Sequence, residues 1–178
     1  RIGVCFAADN FAVTPEDFAA GVRACVDASG TLALEQWGAV GLNEIAPLWM
    51  LKCLPNMPAC HLAIFNDLRG PVNTITQRDV GANQAVAEAY RCIRRGEVDA
   101  MLVGATSETL SPMNQLHARL ECERAQDEQH SVEQPVDCHL QGPAPGEGAG
   151  ALVLESLEPA KRRSARIYGE VVGCASSA

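Results

Sequence analysis

No two cysteines stand in a C-x-x-C pair in this chain, although it holds eight of them. Cys5, Cys25, Cys53, Cys60, Cys92, Cys122, Cys138 and Cys174 are scattered, mostly in apolar settings such as Gly3-Val4-Cys5-Phe6. Zinc ribbons and thiol-exchange motifs need the close pair, so the scatter excludes both and reads as reduced core cysteines of an intracellular protein. Cys138-His139 with His130 nearby is too sparse a donor set for zinc, and no metal is expected. No apolar run approaches the roughly 18 residues of a membrane span and no signal-peptide pattern is present, so a cytoplasmic location without membrane contact is expected. A basic excess is missing as well. Fourteen Lys and Arg face 22 Asp and Glu, a formal net charge of -8, which argues against nucleic acid as a partner.

Nucleotide and hydrolase signatures are also wanting. Gly146-Glu147-Gly148-Ala149-Gly150 lacks the G-x-G-x-x-G spacing and leads into a strand pattern rather than from a strand into a helix. Its glycines are expected to permit close backbone approach. No G-x-S-x-G occurs, which removes the α/β-hydrolase elbow. Nothing calls for a cofactor, and neither an internal repeat nor a domain boundary is visible.

What is present is a chain of 178 residues with 47% hydrophobic content, enough for one globular domain with a core. Residues 1–8 read as a buried strand. Thr14-Pro15 opens a helix, with Thr at the N-cap and Pro at N1, whose apolar face is Phe18, Val22, Cys25 and Val26. Residues 30–46 fit no single pattern, and short helices are expected over 47–54 and 57–66. Ala100 to Ala105 is a continuous apolar run suited to a central parallel strand. Ser111-Pro112 starts a helix to about Arg119, residues 121–148 read as a long loop, 149–154 and 167–173 as strands, and 159–163 as a short helix.

The densest information lies in Gly70-Pro71-Val72-Asn73-Thr74-Ile75-Thr76-Gln77-Arg78-Asp79-Val80-Gly81. Thr74-Ile75-Thr76 is short and β-branched, and Ala82, Ala85, Val86, Ala89 and Ile93 follow at helical spacing up to Gly96, a natural stop. The pattern is strand, sharp turn, helix, with Asp79 at the tip. Unpaired N–H groups and the helix dipole favour negative charge there. The bland reading of Asp79, and the favoured one, is a helix N-cap. As a catalytic base it would need a neighbour that tunes it, and Arg78 would instead keep it ionised.

This stretch resembles the elbow of the β-ketoacyl-acyl-carrier-protein synthases, of the form G-P-x-x-T-I-S-T-A-C-A-S-G. Residues 89–105, Pro135-Val136-Asp137, Gly146–Glu155 and Ala165–Gly173 are similar to further segments of that family in the same order. The resemblance implies a thiolase-like α/β half, a mostly parallel layered sheet flanked by helices in a single domain. It matches an N-terminal half, incomplete at both ends relative to the family.

The departures carry the functional reading. The family nucleophile falls on Asp79, and the small neighbour beside its acyl pocket on Arg78. A thiolate accepts an acyl group as a reactive thioester, whereas Asp79 could form only a mixed anhydride, uphill and readily hydrolysed. The family's histidines lie in a C-terminal half that the resemblance does not reach, and His61, His117, His130 and His139 stand in no matching context. The family's R-D-G-F is Leu140-Gln141-Gly142-Pro143 here.

The expected function is therefore that of a condensation-inactive relative of 3-oxoacyl-acyl-carrier-protein synthases, similar to chain-length factors, acting as a partner or scaffold subunit. The alternative is an active acyltransferase or malonyl decarboxylase that uses Asp79 or a separate downstream half. In the family the strand before the elbow pairs across a dimer axis, which marks Thr74, Ile75 and Thr76 and implies a homodimer or a heterodimer with an active ketosynthase. Acyl carrier protein is the further candidate partner. Its docking would need a basic patch, for which Arg91, Arg94 and Arg95, or Lys161, Arg162, Arg163 and Arg166, are available, although solvated helix ends are the simpler reading.

Overall fold

The computed structural model describes residues 1–9, 14–127 and 146–177. In chain order the elements are β1 (Ile2–Ala8), α1 (Pro15–Ala24), α2 (Met57–Phe65), β2 (Val72–Ile75), α3 (Gly81–Arg94), β3 (Ala100–Glu108), α4 (Pro112–Asp127), β4 (Glu147–Glu155) and α5 (Leu157–Arg162). Short 3-10 turns lie at Leu34–Gln36, Gly41–Glu44, Trp49–Lys52 and Arg78–Val80. The chain divides into two compact units, one of Arg1–Asn10, Leu54–Ser107 and Gly148–Ala178, the other of Phe11–Cys53 and Glu108–Glu147.

The first unit is built on a sheet of order β2-β1-β3-β4. β1 runs parallel to both neighbours, with Val4 opposite Val72 on one side and Leu102 on the other. A strand so flanked is buried on both faces, which explains the unbroken apolar run of residues 2–8. Alternation then sorts its side chains. Cys5 and Ala7 pack with Ala85, Ala89 and Cys92 of α3 and with Met101 and Val103 of β3. Val4 and Phe6 face the other way, onto Ala59 of α2. Small residues on α3 let the helix lie close to the sheet, and a Cβ added at Gly81 would already come within 3.1 Å of the Ala7 Cβ. The expected α/β layering, a largely parallel sheet between helices, is thus present.

Helix α3 ends as its sequence dictates. Gly96 takes φ +70°, the Gly96 N–H bonds the Ile93 carbonyl at 3.0 Å and the Glu97 N–H bonds the Cys92 carbonyl at 3.1 Å. This pair of bonds closes the last turn around a left-handed glycine.

In the second unit, Thr14 and Asp17 close the start of α1. The Thr14 N–H and hydroxyl both donate to Asp17 Oδ2, at 3.1 and 3.0 Å. Lys52 Nζ reaches Asp17 Oδ1 at 2.6 Å. Phe18 meets the rings of Trp37 and Trp49 at centroid distances of 6.2 and 4.9 Å. Cys25 is buried, while Val22 and Val26, expected on the same face, are exposed. Gly21 takes the inner position instead, where a Cβ would come within 2.6 Å of the Gly41 carbonyl oxygen.

Two expectations fail. Residues 167–173 form no strand, and Tyr168 and Val172 are 84% and 85% exposed. Their apolar spacing suits a strand, yet no described strand offers them a hydrogen-bonding partner, and without a ladder the pattern has nothing to hold it. Helix α4 runs to Asp127, well past Arg119, so the first part of the expected loop is helical. Residues 128–145 of that loop, with Cys138, His130, His139, residues 135–137 and residues 140–143, lie outside the described residues, and its last two, Glu147 and Gly148, belong to β4 instead.

Candidate functional site

The elbow is a turn between the carboxyl end of β2 and the amino end of α3. Thr76 and Gln77 leave the sheet, Arg78–Val80 make one 3-10 turn, and α3 begins at Gly81. Arg78 sits at φ +42°, in the left-handed region that glycine or asparagine fills at lower cost. The turn corrects the N-cap reading of Asp79. The N-cap residue is Val80, it supplies no side-chain bond, and Asp79 makes no hydrogen bond or ion pair among the described residues. The extra 3-10 turn displaces Asp79 from the cap position, so its carboxylate is exposed beside the turn rather than folded onto the helix.

Asp79 and Arg78 line an open hollow of about 320 Å³ in the first unit. Its walls are short, with Ala7, Ala8, Ala82, Ala105 and Ala149 among them, and its other polar side chains are Asp9, Thr106 and Ser107. The hollow stands where the carboxyl ends of β1, β2 and β3 meet, the usual place for a ligand on a parallel sheet. Asp9, Thr106 and Ser107 were not singled out from sequence. The available signal was positional, since each follows directly on, or ends, a strand parallel to the elbow strand.

Gly148 and Gly150 border the same hollow. The close approach expected of these glycines lies elsewhere, because a Cβ on either would meet nothing within 4 Å. The constrained residue is Gly104, where a Cβ would fall 2.2 Å from the Gly150 carbonyl oxygen.

The strand marked for pairing, Thr74 and Ile75, forms part of β2 at the edge of the sheet, and Thr76 lies just beyond it. Ile75 packs against the core beneath α3. The Thr74 N–H is held by its neighbour, Asn73 Oδ1, at 2.9 Å.

The basic groups considered for docking are largely engaged at home. Arg91 pairs with Glu88 at 3.7 Å, and Arg95 pairs with Glu88 at 3.5 Å and Glu97 at 2.6 Å. Arg94 lies over the Tyr90 ring, 5.5 Å from its centroid. Farther along, Lys161 pairs with Glu158 at 3.8 Å, Arg163 with Glu155, and Arg166 stacks on Tyr168. His61 stacks on Phe65 of its own helix. Among the described residues no group of three or more metal-binding side chains forms, and no helix is long and apolar enough to cross a membrane.

The buried thiols stand apart from the hollow's lining. Burial, with Glu88 and Cys92 adding, pushes the Cys5 thiol up to about 11. Burial is likewise the chief cause that raises Cys92, followed by Glu97 and Glu88. Neither is poised as a nucleophile.

Comparison with known proteins follows the same line. A family model described as the β-ketoacyl synthase N-terminal domain matches residues 10–160. The 3-oxoacyl-[acyl-carrier-protein] synthase 2 of Vibrio cholerae serotype O1 is 33% identical over 135 residues, which cover 75% of this chain and 33% of that protein. The chain thus spans about a third of the length of the curated relatives it matches. Among solved structures, a chain from a type II polyketide-synthase acyl-carrier protein in complex with its ketosynthase bound to the hexaketide gives a TM-score of 0.61 at 22% identity, covering 93% of this chain and 42% of that one. A chain from the ishigamide ketosynthase/chain length factor gives 0.55 at 22%, covering 88% and 36%. Both likenesses are of fold.

Proposed function

Because this chain belongs to the family of the β-ketoacyl synthase N-terminal domain, we propose that it is a ketosynthase-fold subunit that forms no acyl-enzyme of its own and serves as partner or scaffold to an active ketosynthase. The observation that carries this reading is Asp79. By the resemblance of the elbow motif it falls at the family's cysteine position; at the turn into α3 it is exposed and lines the hollow, and among the described residues no cysteine lines that hollow with it. An acyl group on a carboxylate is a mixed anhydride, which water cleaves before a carbon nucleophile can use it. Arg78 further replaces a small neighbour with a charged one, so an alkyl chain entering the hollow would have to desolvate a guanidinium.

The partner half of the proposal draws on the company kept by similar folds, in which ketosynthases are seen with acyl-carrier protein and with chain length factor. β2 at the sheet edge supports pairing of a homodimer or heterodimer through Thr74 and Ile75. The chemistry served is the decarboxylative elongation of fatty acid or polyketide chains.

Incubating the purified chain with acyl and malonyl carrier protein, while following protein acylation and carbon dioxide release, tests the proposal. The expected result is neither product from the chain alone. Turnover that Asp79→Ala abolishes would overturn it in favour of an acyltransferase or decarboxylase using Asp79.

A further inference from the structure

We draw no further inference here: the strongest candidate, the apolar outer face of α2 at Ile64 and Phe65, 71% and 80% exposed, carries nothing because nothing in the structure shows what covers it.

Discussion

Gly104 faces Gly150 across adjacent strands so closely that a Cβ on Gly104 would sit 2.2 Å from the Gly150 carbonyl oxygen and 2.6 Å from the Phe6 ring. The obstacle on one side is backbone, which cannot rotate away, and on the other an aromatic ring that is only 5% exposed. Gly104→Ala is therefore expected to destabilise the fold by about 2–3 kcal/mol, as overpacking of a close contact does. Gly150→Ala, whose Cβ would meet nothing within 4 Å, should cost far less. Urea denaturation of the two variants checks the contrast.

Arg78 is strained for a reason local to the elbow. Its φ of +42° crowds any Cβ, and the chain retains an arginine there. Arg78→Gly should raise stability by about 1 kcal/mol, the cost of a left-handed residue partly offset by the looser unfolded chain. A lower unfolding midpoint would overturn this and assign the guanidinium a net stabilising role.

How much of this was legible in the sequence depended on whether a residue acts locally. The Thr14 start of α1, the Gly96 stop of α3 and the burial of the first strand follow from capping chemistry and hydrophobic pattern, and all are present, although the burial begins at Gly3 and leaves Arg1 and Ile2 exposed. Asp79 shows where local reading ends. Position and residue type fit an N-cap, and one extra 3-10 turn, a matter of how β2 hands over to α3 against Ala7, moves it out of reach. The run 167–173 fails for a related reason, since a strand requires a partner that no single segment specifies. Asp9, Thr106 and Ser107 come together through strand order, which the sequence does not spell out.

The Asp17–Lys52 pair sets a pH dependence. The side-chain hydrogen bond from Lys52, then the bonds from Thr14, hold the Asp17 carboxyl below its ordinary range, and Asp17 in turn raises Lys52. A carboxylate depressed on folding stabilises above its unfolded pKa, and that stability is lost as the pH falls through the lower folded value. For Lys52 the sign is reversed: the stability is present below its unfolded pKa and is lost as pH rises past the higher folded value. Both contributions are therefore complete at neutral pH, and the acid limb should begin below about pH 4. Asp17→Asn should flatten that limb in urea midpoints measured from pH 2 to 7, leaving the parts due to Asp27, which Ser29 and Thr31 depress, to Glu97, which Arg95 depresses, and to Asp99, which the amino terminus depresses.

Cys5 is fully buried, and its thiol pKa of about 11 leaves almost no thiolate at neutral pH. Cys53 and Cys60 are half-exposed. Timed alkylation of the native chain at pH 8, read by mass spectrometry of peptides, should label Cys53, Cys60 and the equally part-exposed Cys174 well before Cys5, which reacts only after unfolding. Rapid labelling of Cys5 in the folded chain would contradict the packing of β1 against α3.

The edge of the sheet supplies the last test. At β2 the Thr74 N–H is occupied by Asn73 Oδ1 at 2.9 Å, so a strand arriving at this edge must displace an existing bond. Asn73→Ala removes that competitor and leaves a donor unpaired. An unpaired edge donor favours pairing with another strand, and one net hydrogen bond of about 1 kcal/mol per chain should shift a monomer–dimer equilibrium toward dimer by about tenfold or more. Thr74→Pro removes the N–H itself, is tolerated at an edge, and should shift the equilibrium back. Sedimentation velocity over a concentration series reads both. If β2 is the pairing strand, the two variants move in opposite directions from the parent chain. If neither moves, association takes place on another face, and Thr74 and Ile75 are edge residues only.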